Sequence, residues 1–409
     1  MNAAIAERYA AVLLTAGVDL KAGQHLYISA PLEAKTLVRA LTKKAYEMGA
    51  PFVKPLYYDI EQDALRAKYA PEESLSLAPE WEQDYMEGFS KENCCYLKLA
   101  VVHHMQDVPA EKLTALARSN MGLMAGYRKN MDAWRISWTS VIYPTREWAA
   151  LAYPELEEEA AYESLMQDFI RINYLDTPDP AARWAAFRDE LFSICTRLDA
   201  LDIAALHFLS PTADLEVELV EGGKWVGGAV STADGTNRFM GNIPTAEVFH
   251  VPHKYGVNGR VKTTLPLNYN GSIIEDMELI FEKGRVSAFR AAKGEDVLRG
   301  ILSADEGAMH LGEVALVPAS SPISRTRRVF NTTLYDENAA CHLAFGNYCS
   351  LVTGSAANMS EEEREERGIN LSRLHVDFMI GSNRLTVTAR TRDGRQVTLM
   401  RSGEWTREF

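Results

Sequence analysis

Along Leu374–Ser382, His375, Asp377 and Met379 alternate with Val376, Phe378 and Ile380. A period of two is the pattern of a strand with one apolar face, and it fixes which side chains share a surface. On a strand, residues i and i+2 point the same way, so an imidazole and a carboxylate project together. On a helix the same pair would splay about 200° apart. Imidazole plus carboxylate suits a zinc, cobalt or manganese ion. A hydrogen-bonded His–Asp pair beside a core fits the same pattern, so other donors must decide between the two.

The chain around this strand is long enough for two cores. At 409 residues it exceeds one comfortable hydrophobic core. Ile5, Tyr9, Val12 and Leu13 predict an amphipathic helix over Met1–Thr15. His25–Ala30 reads as a strand, Leu37, Val38, Leu41, Ala45 and Met48 as a helical stripe closed by Gly49, and Phe52–Tyr57 as a second strand. Cys94–Val102 followed by a helix around Glu111–Arg118 extends this parallel crossover pattern. Residues 151–200 read as helical, interrupted near Asp176–Pro180. Beyond Leu201–Pro211 the pattern becomes alternating strands and tight turns, as at Leu215–Leu219, Lys283-Gly284 and Asp393-Gly394. The expected fold class is mixed α/β. An N-terminal α/β domain with parallel crossover units spans residues 1–205, and a β-rich α+β C-terminal domain spans 206–409.

Several function classes are disfavoured at once. The turn Ala30–Glu33 lacks GxGxxG, and neither GxxxxGK[ST] nor GxSxG occurs. A net charge of −13 argues against nucleic acid or an anionic membrane as partner. No run of about 18 apolar residues predicts a membrane span, and Met1–Arg8 does not read as a secretion signal. Five cysteines in so long a chain suggest reduced thiols and a cytoplasmic location. The pair Cys94 and Cys95 reads as buried core, His103 and His104 as surface or hydrogen-bonded histidines, and Trp134, Trp138, Trp148 and Trp184 as packing. The charge run Ser360–Gly368 reads as a solvated helix or loop.

Three further segments place polar residues where apolar patterning would not. Glu247 stands beside an apolar pair in Asn242–Phe249. Glu313 opens the strand Leu311–Pro318, which is otherwise apolar on both faces, so an ionised carboxylate there is costly without a partner. Asp336–His342 reads as the first turns of a helix with Asp336 near its N-cap. Each segment alone has an ordinary structural explanation. Together Glu247, Glu313, His342, His375 and Asp377 offer five mixed N/O donors in one domain. Three carboxylates overload a single divalent ion, whereas two ions leave one positive charge for a water-derived anion to neutralise. Such a set fits a two-metal site with open positions better than a closed structural zinc.

These stretches resemble the aminopeptidase T and aminopeptidase S metallopeptidases. The likeness is carried by Asn242–Phe249 (NIPTAEVF), Leu311–Pro318 (LGEVALVP), Ser321–Ser324 (SPIS), Tyr335–His342 (YDENAACH) and His375–Ser382 (HVDFMIGS), with Asn370 and Ser372 leading into the last. Asp179–Leu191 and Pro144, Thr145 and Trp148 extend it into the first half. The resemblance implies metal ligands at Glu247, Glu313, His342, His375 and Asp377. It also implies two divalent ions (Zn, Co, Mn or Mg), short peptides as substrates, and a cytoplasmic homodimer. The chain departs from the pattern at Ala246, Met309 and His310. Where the family carries an active-site tyrosine this chain has Cys349, with Tyr348 one residue earlier.

The expected activity is removal of N-terminal residues from peptides through a water activated by two metals. Glu313 would be bridging ligand, Tyr348 oxyanion stabiliser and Glu337 proton carrier. Two other classes stay open: a thiol hydrolase using Cys341, and a non-catalytic peptide binder with a structural metal.

Overall fold

The computed structural model describes residues 1–103, 108–269, 271–353 and 359–409. The chain divides into two compact units, Met1–Ala186 with Ala229–Ile243, and Phe187–Gly228 with Pro244–Phe409. Among the described residues no helix is long and apolar enough to cross a membrane.

The first unit is built on a parallel sheet of β1 (His25–Pro31), β2 (Val53–Tyr58), β3 (Cys94–Ala100) and β4 (Ser137–Ile142), in the order β2-β1-β3-β4. Parallel neighbours need crossovers, and the helix Lys35–Glu47 supplies the one between β1 and β2, burying Leu37, Val38, Leu41 and Ala45 as the stripe requires. The N-terminal helix runs Ala3–Val12, with Asn2 accepting from the Ile5 N–H, and loosens into a π-turn over Leu13–Gly17. Cys94 and Cys95 are buried, and burial pushes the Cys95 thiol up to about 12, so neither is a poised nucleophile. Trp148 and Trp184 are fully buried. His103 is exposed beyond β3, and His104 lies outside the described residues.

Two large antiparallel sheets dominate the second unit, beside a two-stranded ribbon of Leu267–Tyr269 and Ser272–Ile274. Eight strands form the larger, with Pro252–Lys262, Ala213–Leu219, Ile203–Ser210 and Thr386–Thr391 at its centre. Ala213–Leu219 buries Leu215, Val217 and Leu219 and exposes Asp214, Glu216 and Glu218, the alternation of a sheet with one covered face. Lys283 and Gly284 join Glu278–Glu282 to Arg285–Arg290, with φ of 49° and 80°, as a two-residue hairpin turn demands. The smaller sheet comprises β5 (Val226–Gly227), β6 (Val248–His250), β7 (Leu311–Leu316), β8 (His342–Gly346) and β9 (His375–Met379), in the order β9-β8-β7-β6-β5. One core joins the two sheets: Leu206, Phe208, Leu215 and Val387 from the larger pack in a cluster with Leu311, Val314, Phe345 and Phe378 from the smaller.

The structure corrects one local expectation. Asp336 does not open a helix. It ends a one-turn helix, Thr333–Asp336, which tightens into a 3₁₀ turn over Glu337–Ala339 before the chain extends into β8. Its carboxylate accepts from the N–H groups of Phe330 (2.7 Å) and Thr332 (3.1 Å), upstream of the helix. His342 is therefore a strand residue, because Leu343 and Phe345 impose period-two burial on the core side. The charge run forms the helix Glu361–Glu366, opened by a Ser360/Glu363 capping box.

Candidate metal centre

Residues directly opposite one another on neighbouring strands face the same side of a sheet. Glu313 of β7, Ala344 of β8 and Asp377 of β9 form one such row. Ala315, His342 and Met379 form the next, and Gly346 pairs with His375 on the other flank. The donors are thus interleaved with Ala315, Ala344 and Gly346, whose small size leaves room above the sheet. Glu247 immediately precedes β6 and reaches the same donors.

A bulge at Gly312 makes this possible. Leu311 pairs with Phe345 and Glu313 with Ala344, so Gly312 is the extra residue. In a regular strand Leu311 and Glu313, two residues apart, would share a face. With the bulge, Leu311 joins the core and Glu313 turns to the donors. Only glycine fits there, since a Cβ would lie 2.1 Å from the Asn347 carbonyl oxygen and 2.4 Å from that of Gly346. The signal in the sequence is the isolated glycine itself, since Gly312 interrupts an otherwise apolar strand, the usual sign of a bulge.

The five donors group into two overlapping triads. Glu247, Glu313 and His342 bring ligand atoms within 4.8 Å of one another, as do Glu313, His375 and Asp377. Glu313 belongs to both. Its Oε1 lies 3.4 Å from His342 Nε2, and its Oε2 lies 3.8 Å from His375 Nε2. Asp377 Oδ1 stands 3.2 Å from His375 Nε2. Each imidazole is oriented from behind: His342 Nδ1 donates to the Ala340 carbonyl (3.1 Å), and His375 Nδ1 to that of Asn347 (2.8 Å). Both Nε2 atoms are thereby turned toward the carboxylates, as metal-ligating histidines require.

The residues fit divalent cations. His342 Nε2 and Glu247 Oε2 stand 3.1 Å apart, yet both are buried without a partner of hydrogen-bonding geometry. Two such orphaned atoms facing each other suit a shared cation better than a shared proton. The electrostatics agree. Burial opposes charge on both histidines, but the surrounding carboxylates prevail, raising His342 well above its ordinary value and His375 to about 10. Burial raises Glu313 despite His342 and His375. On Asp377 the same burial is outweighed by His375, which holds its carboxyl low. A cluster this hungry for positive charge is where metal ions replace protons.

Glu337 is buried beside the donors without belonging to either triad. Burial, then Asp377 and Glu247, push its carboxyl well above the usual range. Asn338 steadies it, donating from Nδ2 to Glu337 Oε1 (3.3 Å) and accepting on Oδ1 from the Ala246 N–H (2.7 Å), one residue before Glu247. Tyr348 packs against a separate small cluster containing Val220, Val251, Val352 and Ile369. Cys341 is enclosed in the core, its Sγ 3.4 Å from the Val317 carbonyl, and burial pushes its thiol up to about 11.

The chain as a whole matches a known family. The family model described as thermophilic metalloprotease (M29) matches residues 3–405. The chain belongs to the M29 metalloprotease family. Aminopeptidase 2 of Geobacillus stearothermophilus is 39% identical over 408 residues, spanning 98% of both chains. Aminopeptidase T of Thermus thermophilus is 38% identical over 402 residues, again 98% of each. The solved structure of wild-type AmpT from Thermus thermophilus superposes with a TM-score of 0.90 at 37% identity, covering 98% of this chain and 99% of that one. As an M29 protein the chain is a metal-dependent hydrolase of peptide bonds.

Proposed function

We propose that the chain is an aminopeptidase whose two donor triads would each hold a divalent cation, Glu313 being common to both. The observation that carries this reading is the division of the Glu313 carboxylate, one oxygen toward His342 and the other toward His375. Cations there would supply an activated water and polarise the scissile carbonyl.

The protein's own residues do the rest. Glu247 with His342, and Asp377 with His375, hold the two positions; the Ala340 and Asn347 carbonyls fix the imidazoles. To Glu337, buried and outside the triads, we assign the proton transfer between water and leaving amine. Tyr348 follows Asn347, whose carbonyl holds His375, and we assign it the oxyanion. Short peptides and flexible N-termini are the substrates in this reading, and the metals are drawn from Zn, Co, Mn and Mg. A cytoplasmic homodimer completes it, on the motif resemblance and on the free cysteines.

Metal content decides the matter. Parent protein should carry about two ions per chain, and Glu313→Gln at most one, with aminoacyl-nitroanilide hydrolysis abolished by EDTA and restored by Co or Zn. Full activity in a sample free of metal would end the proposal. A thiol mechanism finds no support in a cysteine buried against Val317 with a raised pKa.

A further inference from the structure

We infer that a cavity adjoining the centre receives a carboxylate of the peptide substrate; the inference rests on the aminopeptidase reading and names its substrate class. The cavity, about 390 Å³, lies within the second unit. Its wall includes Ala340 and Cys341, the two residues before His342, and Gly381 and Ser382, just beyond β9. Wall and centre are one hydrogen-bonded piece. The Ala340 carbonyl accepts from His342 Nδ1 (3.1 Å), and the Gly381 N–H donates to the Cys341 carbonyl (2.8 Å). Val317 also lines the cavity. Continuing the Val248–Leu316 pairing of β6 and β7 by one residue sets Val317 opposite Glu247. The cavity therefore lies at the end of the sheet that carries Glu247 and His342.

Its chemistry is one-sided. Among the described residues the charged side chains lining it are Arg325 and Arg327, and no acidic residue lines it. In a chain of net charge −13, a lining that carries only positive charge does not follow from composition. Neither arginine has an ion-pair partner among the described residues. Ser324, Ser382 and Asn383 add neutral hydrogen-bonding groups. Paired guanidinium groups beside neutral donors are suited to a carboxylate, which arginine grips in a two-pronged fashion. The volume sits at the small end of ligand pockets, room for a peptide fragment rather than a folded chain.

Two sources supply that group: the C-terminal carboxylate of a very short peptide, or an acidic side chain near its N-terminus. Metal-loaded full-length protein is assayed on Leu-Gly-Gly, Leu-Gly-Gly-amide and Glu-Gly-Gly-amide. The free acid, or the glutamyl substrate, should exceed Leu-Gly-Gly-amide in kcat/KM by about tenfold or more. Which of the two does so identifies the source. In the Arg325→Ala/Arg327→Ala double variant that preference should vanish, with Leu-Gly-Gly-amide changed by no more than about twofold because both side chains are exposed. Replacement of both by lysine should restore part of it.

Calorimetry on metal-stripped protein with Gly-Gly, γ-carboxyl-bearing Glu-amide and Gly-Gly-amide gives a reading independent of turnover. Binding of an acid but not the neutral amide, lost in the double variant, supports the inference even if no peptide is cleaved, an outcome that would sink the aminopeptidase reading alone. Equal rates and equal binding for acids and amide, or equal losses on all substrates in the variant, overturn it.

Discussion

Glu313 and Asp377 oppose the same residue, Ala344, from the strands on either side of it. Adjacent strands lie about 4.8 Å apart, so the two carboxylates lean together across a single methyl group. The gap over Ala344 is where the two triads meet.

Filling that gap should empty the site without unfolding the chain. Ala344→Leu projects three extra carbons between the carboxylates. Bound metal should fall below one ion per chain and kcat/KM by at least about a hundredfold, while overpacking costs only about 1–3 kcal/mol in denaturant unfolding. Retained metal with normal activity would refute the row as the floor of the centre.

Gly312→Ala tests the bulge. The added Cβ meets two carbonyl oxygens, at 2.1 and 2.4 Å, with no flexible neighbour to yield. Stability should drop by about 2–4 kcal/mol, and activity should fall further than stability explains, because Glu313 is displaced. Thermal unfolding alongside metal analysis separates the two effects.

Asp336 should give a pH-dependent signature. Burial pushes its carboxyl from 3.8 up to about 7 despite the N–H groups it accepts from. Between those values the unfolded chain has lost the proton and the folded chain keeps it, so this group's contribution is full below pH 3.8 and declines as pH rises toward 7. Relative to Asp336→Asn, the parent should lose stability across that window with a slope of at most about 1.4 kcal/mol per pH unit. Asp336→Ala, which orphans the Phe330 and Thr332 N–H groups, should cost about 2–4 kcal/mol at every pH. Parallel stability curves for parent and Asn variant would show that the carboxyl does not titrate there.

Chelation should reveal how far the donor cluster depends on cations. Removing them leaves Glu247, Glu313 and Asp377 crowded together, so the unfolding midpoint should fall with EDTA and recover with Zn or Co. A bound ion present at about a thousand times its Kd stabilises by about 4 kcal/mol. A midpoint indifferent to EDTA would mean that the cluster is held by protons.

Alkylation provides the last test. Iodoacetamide should leave the activity of a Cys349→Ser protein, whose remaining cysteines are buried, unchanged under native conditions, and Cys341→Ala should retain metal and turnover, since the thiol faces Val317 in the core.

The donors themselves could be read from the sequence because each violated a local pattern: Glu313 heads an apolar strand, and His375 and Asp377 share a strand parity. The parallel sheet of the first unit was legible for the same reason, its strands and stripes being long and regular. What escaped was what local pattern does not encode. Asp336 seemed an N-cap because aspartate favours that position, but its partners lie upstream, at Phe330 and Thr332. Ala344 and Asn338 carry no sign of their own; one matters through cross-strand register and the other through a bond to Ala246. The cavity beside His342 is assembled from four separate segments and exists only once they are folded.

The extra residue at Gly312 ties the fate of the fold to that of the chemistry. Were the strand to run through it without the bulge, Leu311 and Glu313 would share a face, and either the carboxylate would be driven among Phe345 and its neighbours or the leucine would enter the space above the sheet. Such a chain would fail to assemble before it could fail to hydrolyse anything. At this position, quality control by chaperones and proteases would remove the inactive form unaided.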